Sequence, residues 1–208
     1  MIVSASYLDA RQPRPGEDYD AFLESFGLLG CGFEFGEIVR AKSPRHVRPP
    51  RSLWSAMVPT LALALELRER MLVHGARGLL VAAAFRPTGG AADSRHVHNA
   101  ALDLDLMPGD ERLQLRYAET VAELWREHKN LRVGAGTYAP ASSRGTHRVH
   151  LDTGWRFRCW QGLPGGGWAR RPAILDLAFD ADDLDQPLER HVAGVDVDCV
   201  RVGSAWPS

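Results

Sequence analysis

Two short stretches of the chain concentrate the side chains that can bind a metal ion or carry a proton. They are Ser94-Arg95-His96-Val97-His98-Asn99-Ala100-Ala101-Leu102-Asp103 and His147-Arg148-Val149-His150-Leu151-Asp152, and they hold four of the eight histidines. Imidazole nitrogen and carboxylate oxygen are ligands that zinc takes at about 2.0–2.2 Å, and a catalytic zinc uses three protein ligands and leaves a fourth position for water. A His, an Asp and a His drawn from these stretches meet that requirement. The same residues also describe two solvated polar strands, and spacing alone does not choose between the readings. Nor does it fix the residues, because His98 and Asp105 are separated by the same seven positions as His96 and Asp103. Asp152, two residues after His150, suits either orienting that ligand from behind or plain exposure.

The elements that must position these groups are legible around them. In Leu102-Asp103-Leu104-Asp105-Leu106 the period-two alternation predicts a strand with its leucines in the core and both aspartates on the other face. Arg148-Val149-His150-Leu151-Asp152 alternates in the same way and predicts a second strand, with Val149 and Leu151 inward. The apolar run Leu79 to Phe85 predicts a buried strand that delivers Arg86 at its end, before a Gly-rich loop from Pro87 to Asp93. That loop lacks the lysine and the spacing of a phosphate cradle. Leu53, Trp54, Met57, Leu61, Leu65, Leu67 and Met71 recur at helical spacing and stop near His74-Gly75. Pro59 falls inside this pattern, so the helix either starts near Val58 or is kinked. A second amphipathic helix is predicted from Glu111 to Lys129, and short helical pieces over Tyr19 to Phe26 and Phe35 to Val39.

With the elements in place, the run Ser94-x-His96-x-x-Asn99-x-Ala101-x-Asp103 resembles the SxHxxGxAxD motif of the zinc D-Ala-D-Ala carboxypeptidases and D,D-dipeptidases, which share the fold of lysostaphin-type peptidases and the hedgehog signalling domain. Val149-His150-Leu151-Asp152-Thr153-Gly154, followed by Arg156, Arg158 and Trp160, is similar to that family's second motif. Val133 to Pro140 is similar to the Gly-x-Gly-aromatic segment that precedes it, and Ala84-Phe85-Arg86-Pro87 to the family's strand ending in an arginine. The resemblance covers residues 35 to 160. It implies His96, Asp103 and His150 as zinc ligands. It implies His147, three residues before the last ligand, as a general base that takes a proton from the attacking water and returns it to the leaving amine. An imidazole suits both transfers near neutral pH. It further implies that Arg86 faces the substrate, where its guanidinium can bind a carboxylate or an oxyanion; Ser94 suits either a hydrogen bond to substrate or a cap on the loop. Asn99 stands where the motif has Gly, and Asn is the next most tolerant residue if the turn needs positive φ.

Taken together, these features predict an α+β domain: a small, mainly antiparallel sheet with helices on one side and a zinc site on the open face. Residues 1–34 read as an N-terminal wrapping segment, 35–162 as the zinc peptidase domain and 163–208 as a C-terminal extension. The expected activity is zinc-dependent hydrolysis of peptidoglycan-type peptides, of the D-Ala-D-Ala carboxypeptidase or endopeptidase kind. The alternative is a non-catalytic, zinc-containing module that binds the cell wall.

The remaining composition bounds the partners. The 208 residues are 45% hydrophobic, enough for one real core, and 25 basic against 26 acidic side chains leave no field to recruit nucleic acid or a membrane surface. The three cysteines, Cys31, Cys159 and Cys199, are widely spaced and odd in number, which predicts reduced thiols rather than a disulfide framework. The first 20 residues show no positive leader followed by an apolar run, and no stretch is apolar enough to span a bilayer. The expected location is therefore the cytoplasm, or release as a phage-type lysin.

Overall fold

The computed structural model describes residues 10–30, 32–34, 37–39, 47–88, 94–128, 133–139, 144, 147–153, 158–163 and 168–170. Among these residues, three helices, α1 (Tyr19–Glu24), α2 (Trp54–Val73) and α3 (Glu111–Glu127), accompany six strands. The strands are β1 (Gly78–Ala83), β2 (Ala101–Met107), β3 (Val133–Thr137), β4 (Arg148–Thr153), β5 (Arg158–Gly162) and β6 (Trp168–Arg170). They form one sheet in the order β1-β2-β4-β3-β5-β6. Every pairing is antiparallel except β3 with β5, which is parallel. The architecture is the expected mixed α+β one, with a mainly antiparallel sheet.

Alternation decides which face of the sheet carries what. Leu102, Leu104 and Leu106 of β2 and Val149 and Leu151 of β4 are fully buried in one core with α1, α2 and α3. The intervening Asp103, Asp105, His150 and Asp152 therefore point to the opposite face of the sheet. α3 shows the apolar stripe its sequence predicts, with Leu113, Tyr117, Val121 and Leu124 inward, and Asp110 caps it by accepting a hydrogen bond from the Leu113 amide at 2.6 Å. α2 is buried almost all round because sheet, α1 and α3 surround it.

Several boundaries differ from the sequence expectation. α2 begins at Trp54, after a 3₁₀ turn over Arg51–Leu53, and runs through Pro59. Burial of Trp54, Met57 and Val58 outweighs one missing intrahelical hydrogen bond. β1 ends at Ala83, so Ala84, Phe85 and Arg86 follow the strand as irregular chain. The sheet also continues past residue 162, since Trp168–Arg170 pairs with β5. Tyr19, Phe22 and Leu23 of the N-terminal segment enter the common core, where the Tyr19 and Phe22 rings lie 5.2 and 5.7 Å from that of Trp54. The Gly-rich stretch 89–93, the loop residues Ser142, Ser143 and Gly145, Gly154 and Arg156, and the strand-like runs of the tail after residue 170 lie outside the described residues.

Polar ties lock the helices to the two central strands. Thr60 on α2 donates to the Ala100 carbonyl at 3.1 Å and shares a 2.6 Å hydrogen bond with Thr153 at the end of β4. On α3, the Tyr117 hydroxyl donates to the His150 carbonyl, and the Gln114 amide donates to the carbonyls of Tyr138 and Arg148. The backbone on which the candidate ligands stand is thus held from behind.

Candidate metal centre

β2 and β4 are neighbours in the sheet, and their register sets Asp103 directly opposite His150. The chain from β1 then crosses to a 3₁₀ turn, Arg95–His98, that delivers His96 to the same place. Asn99 ends this turn in the left-handed region, at φ 54° and ψ 36°, where a side chain other than Gly, Asn or Asp is strained. Its amide is fully buried and donates to the Tyr19 hydroxyl at 3.0 Å and the Leu53 carbonyl at 2.9 Å. Asn at this position satisfies the turn and also ties it to α1 and the start of α2.

The three predicted ligands converge. His96, Asp103 and His150 are all buried, and one ligand atom from each lies within 4.8 Å of the others. His96 Nε2 is 3.3 Å and His150 Nδ1 3.0 Å from the same oxygen, Asp103 Oδ1. Two ligands each about 2.1 Å from a tetrahedral cation lie about 3.4 Å apart, so both separations match one edge of such a site. The alternative pair is not brought together in this way: Arg148 grips Asp105 through Nε at 2.6 Å and Nη2 at 2.9 Å.

Hydrogen bonding fixes which nitrogen of His96 is available. Nδ1 lies 2.6 Å from the Ala84 carbonyl, which can only accept, so Nδ1 carries the proton and Nε2 carries a lone pair. That lone pair is buried, has no hydrogen-bond partner among the described residues, and faces the carboxylate oxygen of Asp103. Two buried electron-rich atoms facing each other repel, and a cation between them removes the repulsion. Burial pushes the His96 imidazole below its ordinary range despite the Asp103 charge, which keeps it neutral as ligation requires. Asp103 is held ionised: burial alone would raise its carboxyl, but the neighbouring His96 and His150 bring it well below the ordinary value.

His150 stands between two carboxylates. Its Nδ1 meets Asp103 Oδ1 and its Nε2 meets Asp152 Oδ2 at 2.9 Å. Burial lowers its imidazole, but the hydrogen bonds to Asp103 and Asp152 outweigh it and push the pKa up to about 9. Asp152 is buried, so it backs His150 rather than facing solvent.

β3 makes room for these groups by presenting bare backbone. Gly134 pairs with Asp152 and Gly136 with His150. A Cβ on Gly134 would come within 2.4 Å of the Asp152 carboxylate, and one on Gly136 within 2.1 Å of the Trp160 ring. Trp160 then lies against His150 at 5.4 Å and edge-on to Tyr138 at 5.3 Å.

The other predicted site residues are placed less uniformly. Arg86 reaches the cluster, with Nη2 3.6 Å from Asp103 Oδ2, and its amide donates to the His96 carbonyl. His147 stands just before β4 with its side chain 41% exposed and its Nε2 3.9 Å from Asp105 Oδ1. It is thus associated with the next aspartate along β2. Ser94 precedes the 3₁₀ turn with its side chain partly exposed and uses its backbone carbonyl, not its hydroxyl, to accept from Val97. Tyr138 was not among the expected site residues, yet its hydroxyl donates to Asp103 Oδ1 at 3.1 Å.

A second group of metal-capable side chains, Glu66, Glu127 and His128, joins α2 to α3. Arg70 already answers its charge, contacting Glu66 at 2.7 Å and Glu127 at 2.9 Å, and His128 pairs with Glu66 at 3.2 Å. It reads as an ion-pair joint between helices.

Comparison of the chain with protein-family profiles, with curated proteins and with solved structures finds no match. The functional reading therefore rests on the chemistry of the cluster and on the motifs that lead to it. Among the described residues, no helix is long and apolar enough to cross a membrane.

Proposed function

We propose that His96, Asp103 and His150 hold a zinc ion and that the protein is a metallopeptidase acting on peptidoglycan-type peptides, as a D-Ala-D-Ala carboxypeptidase or an endopeptidase of that kind. The observation that carries the metal is the buried Nε2 of His96, without a hydrogen-bond partner among the described residues and aimed at Asp103 Oδ1. Two imidazoles and a carboxylate are a zinc-type donor set, and three ligands leave a position for catalysis. The peptidase reading comes from the motif resemblance, whose implied ligands are the three that converge.

When bound, zinc polarises a carbonyl and lowers the pKa of water. The remaining work falls to the chain. Arg86, beside Asp103, offers a guanidinium to a substrate carboxylate or to the oxygen that gains charge as water attacks the scissile carbonyl. His147, exposed on the same face, accepts the proton of the attacking water as the new C–O bond forms. It returns that proton to the amine nitrogen as the C–N bond breaks. Trp160 and Tyr138 wall one side of the cluster.

A non-catalytic, zinc-containing wall-binding module has the same ligands, and one observation favours it: the His147 ring is placed beside Asp105 rather than on the cluster. A combined measurement separates the readings. Metal analysis is expected to give about one zinc per chain, lost in His96→Ala and His150→Ala. Mass spectrometry should show release of amino acids or peptides from D-Ala-ending substrates. His147→Ala should keep its zinc and lose roughly 10²-fold to 10⁴-fold in turnover. Zinc-loaded wild type without cleavage selects the binding module, and absence of zinc from wild type refutes both.

A further inference from the structure

We infer that Tyr138 is a positioning residue for the metal centre, acting through Asp103; this rests on the zinc reading proposed above. The two oxygens of Asp103 face different neighbours. Oδ1 meets His96 Nε2 at 3.3 Å, His150 Nδ1 at 3.0 Å and the Tyr138 hydroxyl at 3.1 Å, whereas Oδ2 faces Arg86 at 3.6 Å. The terminal torsion of an aspartate is soft and nearly two-fold. Nothing in the Asp side chain itself decides which oxygen, at what angle, is presented to a cation between the imidazoles. A carboxylate oxygen has two lone-pair directions. The Tyr138 hydroxyl occupies one on Oδ1 and so leaves the other directed at the space shared with the histidines.

The hydroxyl is itself held in place by its surroundings. The Tyr138 ring is buried, stands at 87° to the Trp160 ring, and carries the Arg144 guanidinium 4.8 Å from its centroid. Its amide donates to the Arg148 carbonyl at 3.4 Å, and its own carbonyl accepts from Gln114 on α3. Gly136 is what allows Trp160 to lie close enough to support it. A donor fixed by packing orients its acceptor without having to reorganise when a ligand binds, and such outer partners are typically worth about 10- to 100-fold in metal affinity.

Tyr138→Phe tests this with zinc alone, because it keeps the ring and its contacts and deletes only the hydroxyl. Zinc affinity is measured by competition with a chromophoric chelator, alongside the melting temperature with and without zinc and the cobalt(II) absorption bands. The expected result is about 10-fold or greater weakening of zinc binding, a smaller zinc-induced rise in melting temperature, and altered cobalt bands. A purely structural hydroxyl would lower the melting temperature of the metal-free protein and leave the zinc affinity and the cobalt bands unchanged, and that outcome overturns the inference. Failure of the wild type to bind zinc refutes the metal reading itself, a result distinct from equal binding by wild type and Tyr138→Phe.

Discussion

Gly134→Ala is a one-carbon change that probes the site from behind. In a strand, replacing Gly by Ala ordinarily stabilises by about 0.5–1 kcal/mol, because glycine loses more backbone entropy on folding. Here the new Cβ would stand 2.4 and 2.5 Å from the two carboxylate oxygens of Asp152, whereas ordinary contact begins at 3.4 Å. The carboxylate or strand β3 must therefore yield by about 1 Å, the difference between 3.4 and 2.4 Å. Displacement on that scale is enough to break the 2.9 Å hydrogen bond from His150 Nε2 to Asp152 Oδ2. A hydrogen bond to a charged partner is worth about 1.5–3 kcal/mol, and 1.36 kcal/mol corresponds to tenfold, so zinc binding should weaken by about 10- to 100-fold. The assay is a double-mutant cycle with Asp152→Ala, read by chelator competition and thermal melting. Once the carboxylate is gone, the three atoms nearest the new Cβ are removed, so Gly134→Ala should cost little further affinity in the Asp152→Ala background. Wild-type zinc affinity in Gly134→Ala, or strictly additive losses in the double variant, would refute this reasoning.

Further outcomes concern His150 and Arg86. The His150 pKa of about 9 lies above its ordinary 6.5, so the stabilisation it contributes to the chelator-treated protein is fully present below pH 6.5 and fades as the pH rises through about 9. Zinc displaces that proton, so its affinity should run the opposite way and rise with pH, by about tenfold per unit up to about 9. Calorimetry in buffers of different ionisation enthalpy should find about one proton released near pH 7.5, since His96 and Asp103 are already deprotonated; zero release would contradict the assignment. Arg86→Lys keeps the charge near Asp103 but loses the planar fork, so kcat/KM on D-Ala-ending peptides should fall steeply while zinc content and melting temperature hold. Unchanged kinetics would return Arg86 to a role in holding Asp103 alone.

Much of this was legible along the chain because strand and helix periodicity are local. The alternation in Leu102 to Leu106 and Arg148 to Asp152 settles which side chains share a face, and the apolar spacing from Trp54 to Met71 marks α2 as a helix while leaving its start open at Pro59. By the same logic, alternation could not separate Asp103 from Asp105, since both lie on one face of one strand. Their separation comes from register: pairing sets Asp103 against His150 and Asp105 against Arg148, across about 45 residues of intervening chain. Tyr138 was visible only as an aromatic after a glycine pair, because its hydroxyl finds Asp103 through tertiary approach. β5 carries no alternating signal, and its parallel pairing with β3 follows from where the chain returns. Residue types and period thus determine which groups can do chemistry and which way they point, since both depend only on neighbours in the chain. Which of them meet, which tautomer His96 holds and where a missing Cβ makes room depend on contacts between strands distant in sequence, so only the tertiary structure decides them.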